Sequence, residues 1–102
     1  GNDMCSILLD EIMWVEAVNR QVVFNLVGGK KLEVRDTFNN IQNKLLLYPG
    51  FFKPHRSYIV NFKHVEHFNT KEIFMRGSKL CIPLSRGMDK EFKDKYFSFM
   101  FS

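Results

Sequence analysis

Phe51-Phe52-Lys53-Pro54-His55-Arg56-Ser57-Tyr58-Ile59-Val60-Asn61-Phe62 is the stretch on which the reading of this chain turns. Two adjacent aromatics enter it and an alternating apolar run leaves it, the pattern of strands that bury one face. Between them stand a proline and three side chains able to carry positive charge. A purely structural strand has no need of His-Arg-Ser at its entrance. A solvated loop has no need of the aromatic and β-branched residues on either side. The segment predicts a strand pair whose connecting turn presents cations outward. Phe51, Phe52, Ile59 and Val60 are the expected core.

Upstream, Cys5 to Leu9 is expected as a short first strand and Ile12 to Val18 as a second, separated by a turn at Asp10-Glu11. Asn19-Arg20 then interrupts the apolar pattern and predicts a turn tipped by a cation. Gln21–Val27 and Lys30–Arg35 flank Gly28-Gly29, and two strand-like runs around two glycines predict a hairpin, since its turn needs positive φ. Leu32 and Val34 alternate with Lys31, Glu33 and Arg35, so one face of that strand should be wet. Phe38, Ile41, Leu45 and Leu46 recur at helical spacing, with Asp36 or Thr37 able to cap the helix start. That helix is expected over residues 38–47, ending at Tyr48-Pro49-Gly50 because proline cannot continue it.

Downstream, His64–Phe68, Glu72–Arg76 and Lys79–Leu84 are expected strands, with turns at Asn69-Thr70 and Gly77-Ser78. Met88, Phe92, Tyr96 and Phe99 then share one face at helical spacing and predict a helix over about 88–99. Phe97 and Phe101 are left as apolar surface. The sum is a mainly β fold of elongated antiparallel sheets of short strands, with one mid-chain and one C-terminal helix. At 102 residues, 45 % of them hydrophobic and 15 % aromatic, residues 1–102 are expected to form a single domain with a modest core. Gly1-Asn2-Asp3 looks like an expression remnant or the cut edge of a longer chain.

The net charge of +4 is unevenly placed. Residues 1–52 carry five Lys/Arg and six Asp/Glu, residues 53–86 carry seven against two, and residues 87–102 carry three of each. The excess belongs to one third of the chain, as a polyanion footprint does. Two cysteines, Cys5 and Cys81, read as half-buried apolar thiols in a reducing cytoplasm, not as a metal site or a disulfide. No apolar run approaches the roughly 20 residues of a membrane-spanning helix, and no signal peptide is visible. Gly28-Gly29 lacks the context of a phosphate loop, and His55 has no accompanying nucleophile. The expectation is therefore no enzyme, no metal and no cofactor.

What remains is cations on turns of a β scaffold. The planar fork of arginine matches the two guanine acceptors in a major groove, while lysines and hydroxyls hold phosphates. Arg20, Arg56 and Arg86 each stand at an expected turn beside small polar residues, and together they favour DNA contact over a merely solvated role. By the same logic Lys53, Lys63, Arg76, Lys79 and Lys90, with Ser57 and Ser85, are phosphate candidates. Two other readings stay open. One is a protein-interaction module docking an acidic partner. The other is a single-strand or RNA binder stacking bases on Phe51, Phe52 or Tyr58.

His55-Arg56-Ser57-Tyr58-Ile59-Val60-Asn61, preceded by Phe51-Phe52 and followed by Ile82-Pro83-Leu84-Ser85-Arg86, resembles the LytTR domain, the DNA-binding output domain of the LytR/AlgR class of bacterial response regulators. Ile12-Met13-Trp14-Val15-Glu16-Ala17 and the approach from Leu45 to Phe52 are similar too, so the likeness runs from about Ile7 to Phe99. It implies sequence-specific binding of double-stranded promoter DNA, with loops in successive major grooves. The base contacts so implied fall on Asn19 and Arg20, on Arg56 and on Arg86, with His55 on a phosphate and Tyr58 and Asn61 as braces. It also implies a cytoplasmic regulator and a receiver domain ahead of this segment in the full-length protein, and leaves open whether the domain sits on DNA as a monomer or a dimer.

Overall fold

The computed structural model describes residues 8–102. Eight strands and two helices follow one another: β1 (Ile12–Val18), β2 (Gln21–Leu26), β3 (Lys30–Val34), α1 (Phe38–Leu45), β4 (Phe51–His55), β5 (Tyr58–Asn61), β6 (Val65–Phe68), β7 (Glu72–Met75), β8 (Cys81–Pro83) and α2 (Asp89–Met100). The mainly β reading holds, in two antiparallel sheets. One has the strand order β3-β2-β1-β5-β4 and the other β6-β7-β8. The molecule is elongated, 41 × 27 × 27 Å.

The five-stranded sheet is buried on both faces. Ile12, Val15, Val22, Phe24, Phe51 and Ile59 pack on Ile41 and Leu45 of α1. Trp14, Phe52 and Val60 point the other way and join Val65, Ile73, Met75 and Ile82 of the second sheet and Phe92 of α2. Adjacent Phe51 and Phe52 thus serve two cores, because successive strand side chains face opposite ways. A bulge between Ile12 and Trp14 lets Ile12 and Val15 share a face despite their odd spacing. Pro54, with no N–H to give, sits on β4 at the sheet edge, where the β4–β5 register shifts.

Both helices follow their stripes. The Thr37 hydroxyl accepts from the Asn40 amide at 3.0 Å, while the Asp36 carboxylate takes the Thr37 amide at 2.7 Å and the Asn40 side chain at 2.9 Å. The helix ends at Leu45, two residues short of the expected Leu47. Leu47 and Tyr48 donate to the carbonyls of Lys44 and Leu45, a tighter final turn ahead of Pro49. In α2, Phe92 is fully buried at the centre of an aromatic cluster, with ring centroids 5.4 Å from Phe52 and Phe62 and 4.9 Å from Phe68. Phe97 and Phe101 stay exposed, as their position off the stripe implies.

The expected first strand, Cys5–Leu9, lies outside the described residues except for Leu8 and Leu9, and Leu9–Glu11 is a single 3-10 turn. The β2–β3 connection is also longer than two glycines. β2 stops at Leu26 and Val27–Gly29 forms a three-residue turn with Gly28 and Gly29 at φ 82° and 75°. Phe62–His64 forms another 3-10 turn, so β6 begins at Val65 rather than His64. Lys79, Leu80 and Leu84 fall outside β8. Cys81 is free and exposed rather than half-buried, and Cys5 lies outside the described residues.

Candidate nucleic-acid interface

Antiparallel register decides which turns meet. Val18 pairs with Gln21 across the Asn19-Arg20 turn. Glu16 pairs with Tyr58, and the Ala17 amide donates to the Ser57 carbonyl at 2.9 Å, so the Arg56-Ser57 turn stands at that same end. The Ser85 amide donates to the Pro54 carbonyl at 2.8 Å, bringing the loop ahead of α2 alongside. Arg20, Arg56 and Arg86, far apart in sequence, therefore line one end of the domain in that order. All three are exposed, and no arginine enters an ion pair among the described residues.

Each tip is held by its own backbone. Asn19 and Arg20 both take positive φ, 49° and 66°, a two-residue turn matched to the twist of its strands. Asparagine tolerates that region, whereas arginine is strained there. At the next turn the Ser57 amide donates to His55 Nδ1 at 3.1 Å, which places the ring proton on Nε2, free to donate outward. The His55 ring meets Tyr58 edge-on at 5.7 Å. Burial, and then the Glu16 carboxylate, push the Tyr58 phenol above its ordinary pKa, so it stays neutral. At the third turn Gly87 has φ 85° and the Met88 amide donates to the Ser85 carbonyl at 3.0 Å. Asn61 is buried at the other end of β5, its amide donating to the Ile12 carbonyl at 2.9 Å and its oxygen accepting from the Lys63 amide at 3.0 Å, so it ties β5 to the start of β1 rather than bracing the Arg56-Ser57 turn.

The other sequence candidates divide by position. His55, Ser57 and Ser85 belong to the row of turns, and Lys90 stands beside it on the first turn of α2. Lys53 turns toward α1 instead, its ammonium on Gln42 Oε1 and 5.6 Å from the Phe38 ring. Lys63, Arg76 and Lys79 lie at the opposite end. Lys63 follows β5, with its ammonium 3.1 Å from the Asp10 carboxylate, and the other two sit in the β7–β8 turn.

Two cations that sequence reasoning passed over join the row. Arg35 follows β3, whose Val34 pairs with Val22, and shares a cleft of about 270 Å³ with Arg20. Lys71, in the β6–β7 turn, accepts the Leu84 amide on its carbonyl at 2.9 Å. Neither has a local sequence signal, since only long-range register puts them there. The row thus runs Arg35, Arg20, Arg56, Arg86, Lys71. Among the described residues no group of His, Cys, Asp and Glu is gathered for a metal, and no helix is long and apolar enough to cross a membrane.

Comparison with known proteins agrees with this architecture. A family model, the LytTr DNA-binding domain, matches residues 2–96. A solved structure from Bacillus cereus, described as the LytTr DNA-binding domain of a methyl-accepting/DNA response regulator, superposes with a TM-score of 0.73 at 19 % identity. The match covers 93 % of this chain and 90 % of that one. No curated protein matches the chain.

Proposed function

The chain belongs to the LytTr DNA-binding domain family, and from that premise we propose that it binds double-stranded DNA sequence-specifically through the row of turns. The observation that carries this reading is that register gathers the Asn19-Arg20, Arg56-Ser57 and Ser85–Gly87 turns at one end, with their arginines outside any ion pair among the described residues. In this reading Asn19, Arg20, Arg56 and Arg86 address base edges in successive major grooves of one face of the duplex. His55, through Nε2–H, and Ser57, Ser85 and Lys90 hold phosphates, and Arg35 and Lys71 close the two ends of the footprint.

As an output domain of a bacterial response regulator, it would act in the cytoplasm and follow a receiver domain. The fold is one of binding rather than catalysis. A duplex selected from a random pool, titrated with salt and competed with its single strands, tests this. The duplex should win the competition, and log affinity should fall linearly with log salt by about 0.9 per phosphate neutralised. Absence of duplex binding at low salt, with capture of an acidic protein instead, would favour the interaction-module reading. Preference for the single strand would favour base stacking on aromatics.

A further inference from the structure

The end of the domain opposite the reading turns holds a second set of cations that duplex reading does not use. Between the β2–β3 turn and the β7–β8 turn lies a cavity of about 190 Å³. Its rim carries Lys30, Lys31 and Arg76, all exposed, and Ser78. No carboxylate lines it. Its floor includes Trp14 and Asn25, 8 % and 3 % exposed. Asn25 is engaged, donating to Glu16 Oε1 at 3.0 Å. The Trp14 indole Nε1 is buried with no hydrogen-bond partner, the one such side-chain atom among the described residues. An indole N–H is a donor only, and a buried donor left unpaired is costly. Three cations outside any ion pair among the described residues, around a cavity that no carboxylate lines and beside a buried unpaired donor, suit an oxyanion.

We propose that this cavity is an oxyanion site that takes a phosphate group, held by Lys30, Lys31 and Arg76 over the Trp14 indole. The phosphate can come from a small phosphorylated molecule or from the backbone of DNA. The site stands on its own residues and does not depend on the reading of bases at the other end.

Trp14 is the chain's only tryptophan, so its fluorescence reports on the cavity directly. Inorganic phosphate titrated at constant ionic strength should change that fluorescence saturably. The change should be weakened at least tenfold in a Lys31→Gln/Arg76→Gln variant of unaltered melting temperature, and be kept in Arg86→Ala. In a second arm the salt slope of duplex binding is compared between the parent and the double variant. A slope smaller by about 0.9, the one phosphate the variant no longer neutralises, identifies DNA phosphate as the occupant. An unchanged slope beside an intact phosphate titration identifies a small phosphorylated ligand. No saturable response, or an equal response in the double variant together with an unchanged slope, overturns the proposal.

Discussion

Arg20→Gly is expected to move stability and DNA affinity in opposite directions. Arg20 sits at φ 66° beside Asn19 at φ 49°. Holding a non-glycine residue in the left-handed region costs roughly 1–2 kcal/mol. Glycine removes that strain but adds freedom to the unfolded chain, a loss of roughly 0.5–1 kcal/mol. The Asn-Gly pair so formed is the preferred one for this turn. The net expectation is stabilisation of about 0.5–1 kcal/mol, or a few degrees in melting temperature for a chain of this size. Losing the guanidinium should meanwhile weaken binding to a selected duplex by about 1–3 kcal/mol, roughly 5- to 150-fold. Urea unfolding gives the first number, with an unchanged m-value, and equilibrium binding the second. Strain retained at a tip is what a functional position shows. A variant destabilised by more than about 1 kcal/mol would refute the strain argument. Unaltered affinity would refute a role for Arg20 at the DNA.

Phe92→Ala empties the centre of the aromatic cluster and should cost about 3–5 kcal/mol in denaturant unfolding. The affinity of the remaining folded protein should fall far less than its stability, since Phe92 is fully buried and offers no atom to DNA. Asn61→Ala leaves the Ile12 carbonyl and the Lys63 amide without their side-chain partner. It should cost about 1–3 kcal/mol, and a loss under about 0.5 kcal/mol would show that water replaces the brace. Hydrogen bonds from Asn40 and Thr37 hold the Asp36 carboxyl below its ordinary pKa. Its contribution is therefore present above the unfolded carboxylate range and lost as pH falls through the lower folded value. Asp36→Asn should flatten the acid limb of a stability-versus-pH curve, and an unchanged limb would place the acid sensitivity elsewhere.

Elements were legible where the signal is local. Alternation at Ile12–Val18 and Ile59–Asn61, the stripe of α2 and the cap at Thr37 all depend on neighbours a few residues away, and the structure keeps them. Boundaries drifted where backbone geometry intervenes. A third residue, Val27, entered the β2–β3 turn, and the last turn of α1 tightened before Pro49. The arginines at turn tips could be picked out because charge beside small polar residues at a strand exit is a local pattern. Their gathering at one end could not be read that way. Neither could the division that sends Lys63, Arg76 and Lys79 to the other end, nor the turn of Lys53 onto α1. Those follow from the order β3-β2-β1-β5-β4 and from the Ser85–Pro54 hydrogen bond, pairings between residues far apart in sequence.

The most direct test of base reading by the row of turns is the affinity of Arg86→Ala for a selected duplex and for a scrambled duplex of equal length at one salt concentration. If the turns read sequence, the selected duplex loses about 1–3 kcal/mol and the scrambled duplex distinctly less. Equal losses on both would reduce Arg86 to a phosphate contact and contradict the claim that these turns read sequence.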